Sequence, residues 1–179
     1  MEPFDQSKAQ IVKLSAERLG LCRDFDCGDD DLNEFLKKDA LTYLDGKIAV
    51  TYLFLYEGNL AGFFCLSNAS IPLEEEDREK LWDLGKPQGS YPAIKIGRLG
   101  VRKDQGRKGF GTIILKWVIV QALSYSNVVG CRFITVDAYN KEIPLKFYEN
   151  SSFKTLTKTR NKRNVMMYLD LLGNGKITP

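Results

Sequence analysis

The sequence predicts an α/β (α+β) fold, one central sheet with helices on both faces. Three observations carry this. The first third holds short β-branched and aromatic runs separated by turn residues. Residues 93–153 then alternate strand, helix, strand, helix. The long helix in that alternation is apolar nearly all round, so it needs a sheet to pack on. A length of 179 residues favours a single domain over 1–179 with a sizeable core.

The elements follow in order. IVKLS (11–15) is a short first strand. In FDCGDDDLNEFLKKDALTYLDG, Asp29 to Asp31 offer N-caps, and Leu32, Phe35, Leu36, Ala40 and Leu44 fall at helical spacing. Gly46 stops that helix. IAVTYLFLY (48–56), the turn EGN and LAGFFCLSNASI (60–71) form a hairpin. Residues 72–92, acidic and then rich in Gly and Pro, form an inserted helix and loop. AIKIGRLGV (93–101) is a strand, GFGTIILKWVIVQALSYS (109–126) the apolar helix, and CRFITVDAY (131–139) a buried strand. KEIPLKFYENSSF (141–153) is a short helix with Pro144 in its first turn. Residues 154–171 form a last hairpin whose tip, KTRNKR (158–163), is basic. That tip suits either a phosphate or a solvated turn.

Composition removes several kinds of chemistry. The chain contains no histidine, which excludes Ser-His-Asp and Cys-His catalysis, His-based zinc sites and imidazole acid–base steps. Cys22, Cys27, Cys65 and Cys131 show no C-x-x-C spacing and read as incidental thiols. No metal site is expected. No apolar run is long enough to span a membrane, and MEPFDQSKAQ lacks a signal-peptide core, so a cytoplasmic protein is expected. Charge is unevenly spread: residues 1–92 carry a net −8 and residues 93–179 a net +11. A basic second half suits an anionic ligand there.

The segment RLGVRKDQGRKGFGT (98–112) points to that anion. It places Gly106, Gly109 and Gly111 with Arg107 and Lys108 between a strand end and a helix start. Amides at a helix N-terminus lack intrahelical partners and favour an anion. Glycines let a phosphate approach the backbone. There is no G-x-x-x-x-G-K-[ST] P-loop, and no G-x-G-x-x-G followed by a suitably spaced acid.

RLGVRKDQGRKGFGTIILKWVI and ITVDAYNKEIPLKFYENSSF together resemble the GNAT-type N-acetyltransferases, which use acetyl-CoA. The first matches that family's strand, pyrophosphate loop and helix, and the second its next strand and "FYE-x-x-GF" signature. FDCGDDDLNEFLKKDA and FFCLSNASI resemble the toxin-type branch, which acetylates the amine of aminoacyl-tRNA. The resemblance implies a mixed, mostly antiparallel sheet with a splay between two parallel strands. It implies that Leu99 and Val101 present backbone groups to the pantetheine arm and acetyl carbonyl. Gly106, Arg107, Lys108, Gly109, Gly111 and Thr112 would bind the pyrophosphate, and Asn140 the CoA arm. Tyr148 would be the general acid that protonates the departing thiolate.

Three departures stand out. Gly106 occupies a place where the family usually has Gln or Arg, with Gln105 one residue early. Ser152-Phe153 replaces the final Gly-Phe, a change expected to cost little. No glutamate lies on the 93–101 strand as a base, which leaves Asp137, Glu142 and Glu149 as candidates. Expected partners are acetyl-CoA and an amine acceptor, with tRNA, an antitoxin and a homodimer as further options. A CoA-binding regulatory module without catalysis is the alternative from another class.

Overall fold

A computed structural model describes residues 4–73, 89–105, 108–156 and 163–173. Its strands form one seven-stranded mixed sheet in the order β1-β2-β3-β4-β5-β7-β6, in which β4 and β5 run parallel. The strands are β1 (Ala9–Lys13), β2 (Val50–Tyr56), β3 (Asn59–Ile71), β4 (Tyr91–Val101), β5 (Phe133–Tyr139), β6 (Lys154–Thr155) and β7 (Asn164–Asp170). The helices among the described residues are α1 (Asp30–Glu34), α2 (Ala40–Asp45), α3 (Phe110–Ser126) and α4 (Glu142–Glu149). The chain divides into two compact units, Met1–Ser67 with Ile96–Lys116, and Asn68–Lys95 with Trp117–Pro179. β3 and β4 each run through both.

In the first unit, β1 pairs antiparallel with β2, from Ala9 opposite Tyr56 to Lys13 opposite Tyr52. The strand therefore starts two residues before the apolar run that announces it. β2 and β3 form a hairpin closed by Glu57 and Gly58, both at positive φ (51° and 77°). This is the backbone that matches the twist of a two-residue turn. The helix predicted across 29–45 is interrupted. Asp29 caps α1 through its side chain, but Phe35–Asp39 then widens into a π turn before α2 begins. The apolar spacing cannot show that widening, because it serves both geometries. α2 ends at Gly46 in the right-handed region, and Lys47 takes the left-handed step (φ 58°) instead.

The core of this unit gathers Leu14, Phe25, Phe35, Leu36, Leu53 and Phe63, all at most 1% exposed. Phe63 meets Phe25 edge-on and Phe35 in a stack. Phe110, the first residue of α3, seats itself against Phe54 and Tyr56 at 5.1 and 5.0 Å. That anchor fixes where α3 begins, just after the glycine segment.

In the second unit, β5 pairs antiparallel with β7, from Phe133 opposite Asp170 to Tyr139 opposite Asn164. β6 adds two residues to β7. Ile71, Tyr91, Phe133, Leu156 and Tyr168 form its core, with Phe133 edge-on to both Tyr91 and Tyr168. The inserted helix expected within 72–92 falls mostly on residues outside those described, as does the basic tip apart from Arg163.

Candidate active site

The first unit holds the end of β4 and the start of α3. Leu99 and Val101 are half-buried on β4, and Gly100 between them is buried. A Cβ at Gly100 would lie 2.8 Å from the Phe63 ring and 3.3 Å from Cys27 Sγ. The absence of a side chain is therefore what lets this strand lie against that core.

Beyond Val101 the chain is tied down. The Arg102 amide donates to Ala61 O at 2.9 Å and the Lys103 amide to Asp26 O at 3.0 Å. The Arg102 guanidinium donates to both oxygens of Asp104, and Lys103 Nζ lies 2.5 Å from Asp26 Oδ2. Asp26 Oδ1 also accepts from the Gly28 amide and from Asn33 Nδ2. These bonds, led by Lys103, hold the Asp26 carboxyl well below the usual range. Asp26 is thus a hub that no sequence motif marks. Its only trace in the sequence is the Asp-x-Gly turn at 26–28.

Gly106 and Arg107 lie outside the described residues. Lys108 Nζ donates to Gln105 Oε1 at 2.7 Å, so the early glutamine holds the lysine of the glycine segment. Gly109 takes φ 77°, a conformation that glycine adopts without strain. Its carbonyl accepts the first intrahelical bond, from the Ile113 amide at 3.1 Å. Phe110, Gly111 and Thr112 occupy the first turn of α3, whose amides have no partners within the helix. A flexible glycine entering a long helix, with its first-turn amides uncommitted to the helix, fits a pyrophosphate.

The second unit holds Asn140 and Tyr148. The Asn140 amide donates to Arg163 O at 2.8 Å, just after β5. Tyr148 is 6% exposed on α4, edge-on to Phe147 at 5.0 Å and to Phe153 at 5.3 Å. Burial pushes its phenol above the ordinary value of 10.0. The proton therefore stays on Tyr148 across the neutral range, as a donor requires. Two candidate bases are already engaged: Asp137 by Lys95 Nζ at 2.5 Å and Glu142 by Lys146 Nζ at 2.6 Å. Ser152, in place of the family's glycine, takes φ 67°. The replacement therefore carries backbone strain, contrary to the small cost expected.

Among the described residues, no group of His, Cys, Asp and Glu has metal-binding geometry. No helix among them is long and apolar enough to cross a membrane.

No family model matches the chain. A tRNA-acetylating toxin of Mycobacterium tuberculosis is 28% identical over 131 residues, covering 73% of this chain and 76% of that protein. The crystal structure of a tyrosine-to-phenylalanine mutant of KacT superposes with a TM-score of 0.78 at 21% identity, covering 92% of this chain and 95% of that one. AtaT complexed with acetyl-methionyl-tRNAfMet gives 0.76 at 22% identity, covering 90% and 94%. The chain has the GNAT-type acetyltransferase fold, in the form found in the toxin-type branch.

Proposed function

We propose that this protein transfers the acetyl group of acetyl-CoA to the α-amine of aminoacyl-tRNA. The observation that carries the reading is the strand–loop–helix unit from Leu99 to Thr112, found in a chain that matches a tRNA-acetylating toxin over three-quarters of both lengths. The likeness to AtaT with acetyl-methionyl-tRNAfMet supports the same acceptor. The net +11 of residues 93–179 suits both a cofactor phosphate and an RNA backbone.

Acetyl-CoA, when bound, supplies an activated acetyl thioester. The amides of Lys108 to Thr112, with Gly106 and Arg107, hold its pyrophosphate. Asn140 orients the pantetheine arm, and Leu99 presents backbone to it. The Val101 amide donates to the carbonyl oxygen as that oxygen gains negative charge. Tyr148 Oη gives its proton to the departing sulfur. An α-amine with a pKa of about 8 is roughly one-tenth unprotonated at pH 7, enough to attack the carbonyl and then shed its proton to solvent. It needs little help from a base, which agrees with Asp137 and Glu142 being tied in ion pairs. KacT was also solved as a tyrosine-to-phenylalanine mutant, the substitution that tests Tyr148 here.

The reaction places the protein in the cytosol, where charged tRNA is found, with a neutralising antitoxin as its protein partner. The test is expression in a bacterial host. Wild-type protein is expected to arrest growth, and Tyr148→Phe to relieve the arrest at equal protein level. Harmless expression of folded, acetyl-CoA-binding wild-type protein would contradict the reading.

A further inference from the structure

The feature that the proposed chemistry leaves unused is Arg98. It sits on β4 immediately before Leu99, with its side chain largely covered (28% exposed). Its guanidinium carbon lies 4.1 Å above the centroid of the Phe35 ring, so the cation is stacked on the first residue of the π turn. Its Nε is buried and has no hydrogen-bond partner. The one carboxylate nearby among the described residues, Asp31, comes only to 3.8 Å from Nε and is itself 67% exposed. That distance is too long for a hydrogen bond, and a pairing this exposed is weak.

A largely covered cation whose Nε is buried and unused calls for an explanation. Structure alone does not require an arginine there. A lysine would supply charge, and an apolar residue would cover Phe35 better. A planar fork held flat by an aromatic ring is the arrangement that suits a bidentate oxyanion such as a phosphate. Cation–π contact fixes the plane and leaves the edges to bind. A π turn at the stacking residue is the kind of helix irregularity that collects at functional sites.

Position narrows the ligand. Arg98 lies three residues before Val101 on one strand, roughly 10 Å away at ~3.3 Å per residue. An acceptor whose amine lies at the Val101 amide can extend along β4 to Arg98. In an aminoacyl-tRNA, the anion nearest the amine is the 5′-phosphate of the terminal nucleotide, separated from it by one ester and one ribose. We infer that Arg98, braced by Phe35, is an acceptor-binding residue that takes this phosphate, with Asp31 a loose counterion that the phosphate displaces. The inference rests on the aminoacyl-tRNA reading above and deepens it.

The test uses two fragments released from bulk charged tRNA: aminoacyl-adenosine and the same species carrying its 5′-phosphate. Initial rates of acetylation give KM for each, and a separate titration gives Kd for acetyl-CoA. Wild-type protein is expected to show a KM roughly tenfold to a hundredfold lower for the phosphorylated fragment, the scale of a charged hydrogen bond. Arg98→Gln should erase that preference by raising only the phosphorylated fragment's KM, with Kd for acetyl-CoA and Tm unchanged. Arg98→Lys should restore part of it. Asp31→Asn should shift the phosphorylated fragment's KM downward, opposite in sign to Arg98→Gln, which a merely structural Arg98 would not produce. Equal KM values in the wild-type protein, or a preference that survives Arg98→Gln, would overturn the assignment while leaving the aminoacyl acceptor intact. Acetylation of neither fragment nor of intact charged tRNA would overturn the underlying reading, and the assignment with it.

Discussion

Arg132 and Asp170 form a bidentate pair, Nε to Oδ1 at 2.5 Å and Nη2 to Oδ2 at 2.8 Å. Both side chains are nearly buried, at 14% and 7% exposure. The Arg132 carbonyl also accepts the Leu171 amide at 2.9 Å, and Asp170 Oδ1 accepts that of Leu172 at 3.0 Å. The pair therefore joins the lead-in to β5 to the end of β7, where Phe133 sits opposite Asp170. Removing one partner leaves a buried charge without its mate. Asp170→Ala is expected to cost about 3–5 kcal/mol and to lower Tm by roughly 10 °C or more. Chemical denaturation measures it. A loss below 1 kcal/mol would mean that the pair is solvated in solution.

Ser152 carries strain that the sequence conceals. Its φ of 67° lies in the left-handed region, where a Cβ is penalised by about 1–2 kcal/mol. The turn is needed so that the Phe153 amide can reach Tyr148 O at 3.0 Å. Ser152→Gly should therefore stabilise the protein by up to about 1 kcal/mol, with Kd for acetyl-CoA unchanged. Unfolding in urea with unchanged m distinguishes this from a change in the denatured state.

Gly100 is the converse case. A methyl group there meets the Phe63 ring at 2.8 Å, and Phe63 is fully buried against Phe25 and Phe35. No flexible end is free to give way, so β4 itself must shift. Gly100→Ala is expected to destabilise by about 1–3 kcal/mol. It should also weaken acetyl transfer, because Leu99 and Val101 move with the strand. Stability and kcat/KM measured on the same preparation test both parts.

Tyr148→Phe should lower kcat by roughly 10²- to 10⁴-fold, the usual contribution of a positioned acid. The fold should change little, since the contacts to Phe147 and Phe153 involve the ring. A pH signature accompanies this. Burial raises the folded phenol above 10.0, so above that pH the unfolded chain loses a proton that the folded protein keeps. Stability from this group is whole below pH about 10 and declines as pH rises through the folded value. The decline should be shallower in Tyr148→Phe. Tm measured from pH 9 to 11 in both proteins shows it.

The sequence is most legible where pattern and turn chemistry agree. The hairpin around Glu57 and Gly58, the apolar helix from Phe110 and the Pro144 helix all lie where their residues place them. The π turn at Phe35 is illegible because Leu32, Phe35, Leu36 and Ala40 bury equally well on either helix. β1 begins early because Ala9 and Gln10 pair through backbone, which side-chain pattern does not report. The glycine segment proposed to hold the pyrophosphate reads as a turn from its glycines, and Gly109 adopts the positive φ they suggest. The surroundings of Asp26 and Arg98 are hidden, since each depends on a partner far along the chain: Lys103 for one and Phe35 for the other.

The most direct measurement is acetyl transfer from labelled acetyl-CoA to charged and uncharged tRNA, followed by mild alkaline hydrolysis of the aminoacyl ester. The account predicts label on charged tRNA only, released by the alkali as N-acetyl-amino acid. It also predicts a rate reduced at least a hundredfold in Tyr148→Phe, on the scale of lost acid catalysis. Label that stays with uncharged tRNA, or an active protein that acetylates other amines and ignores charged tRNA, would contradict it.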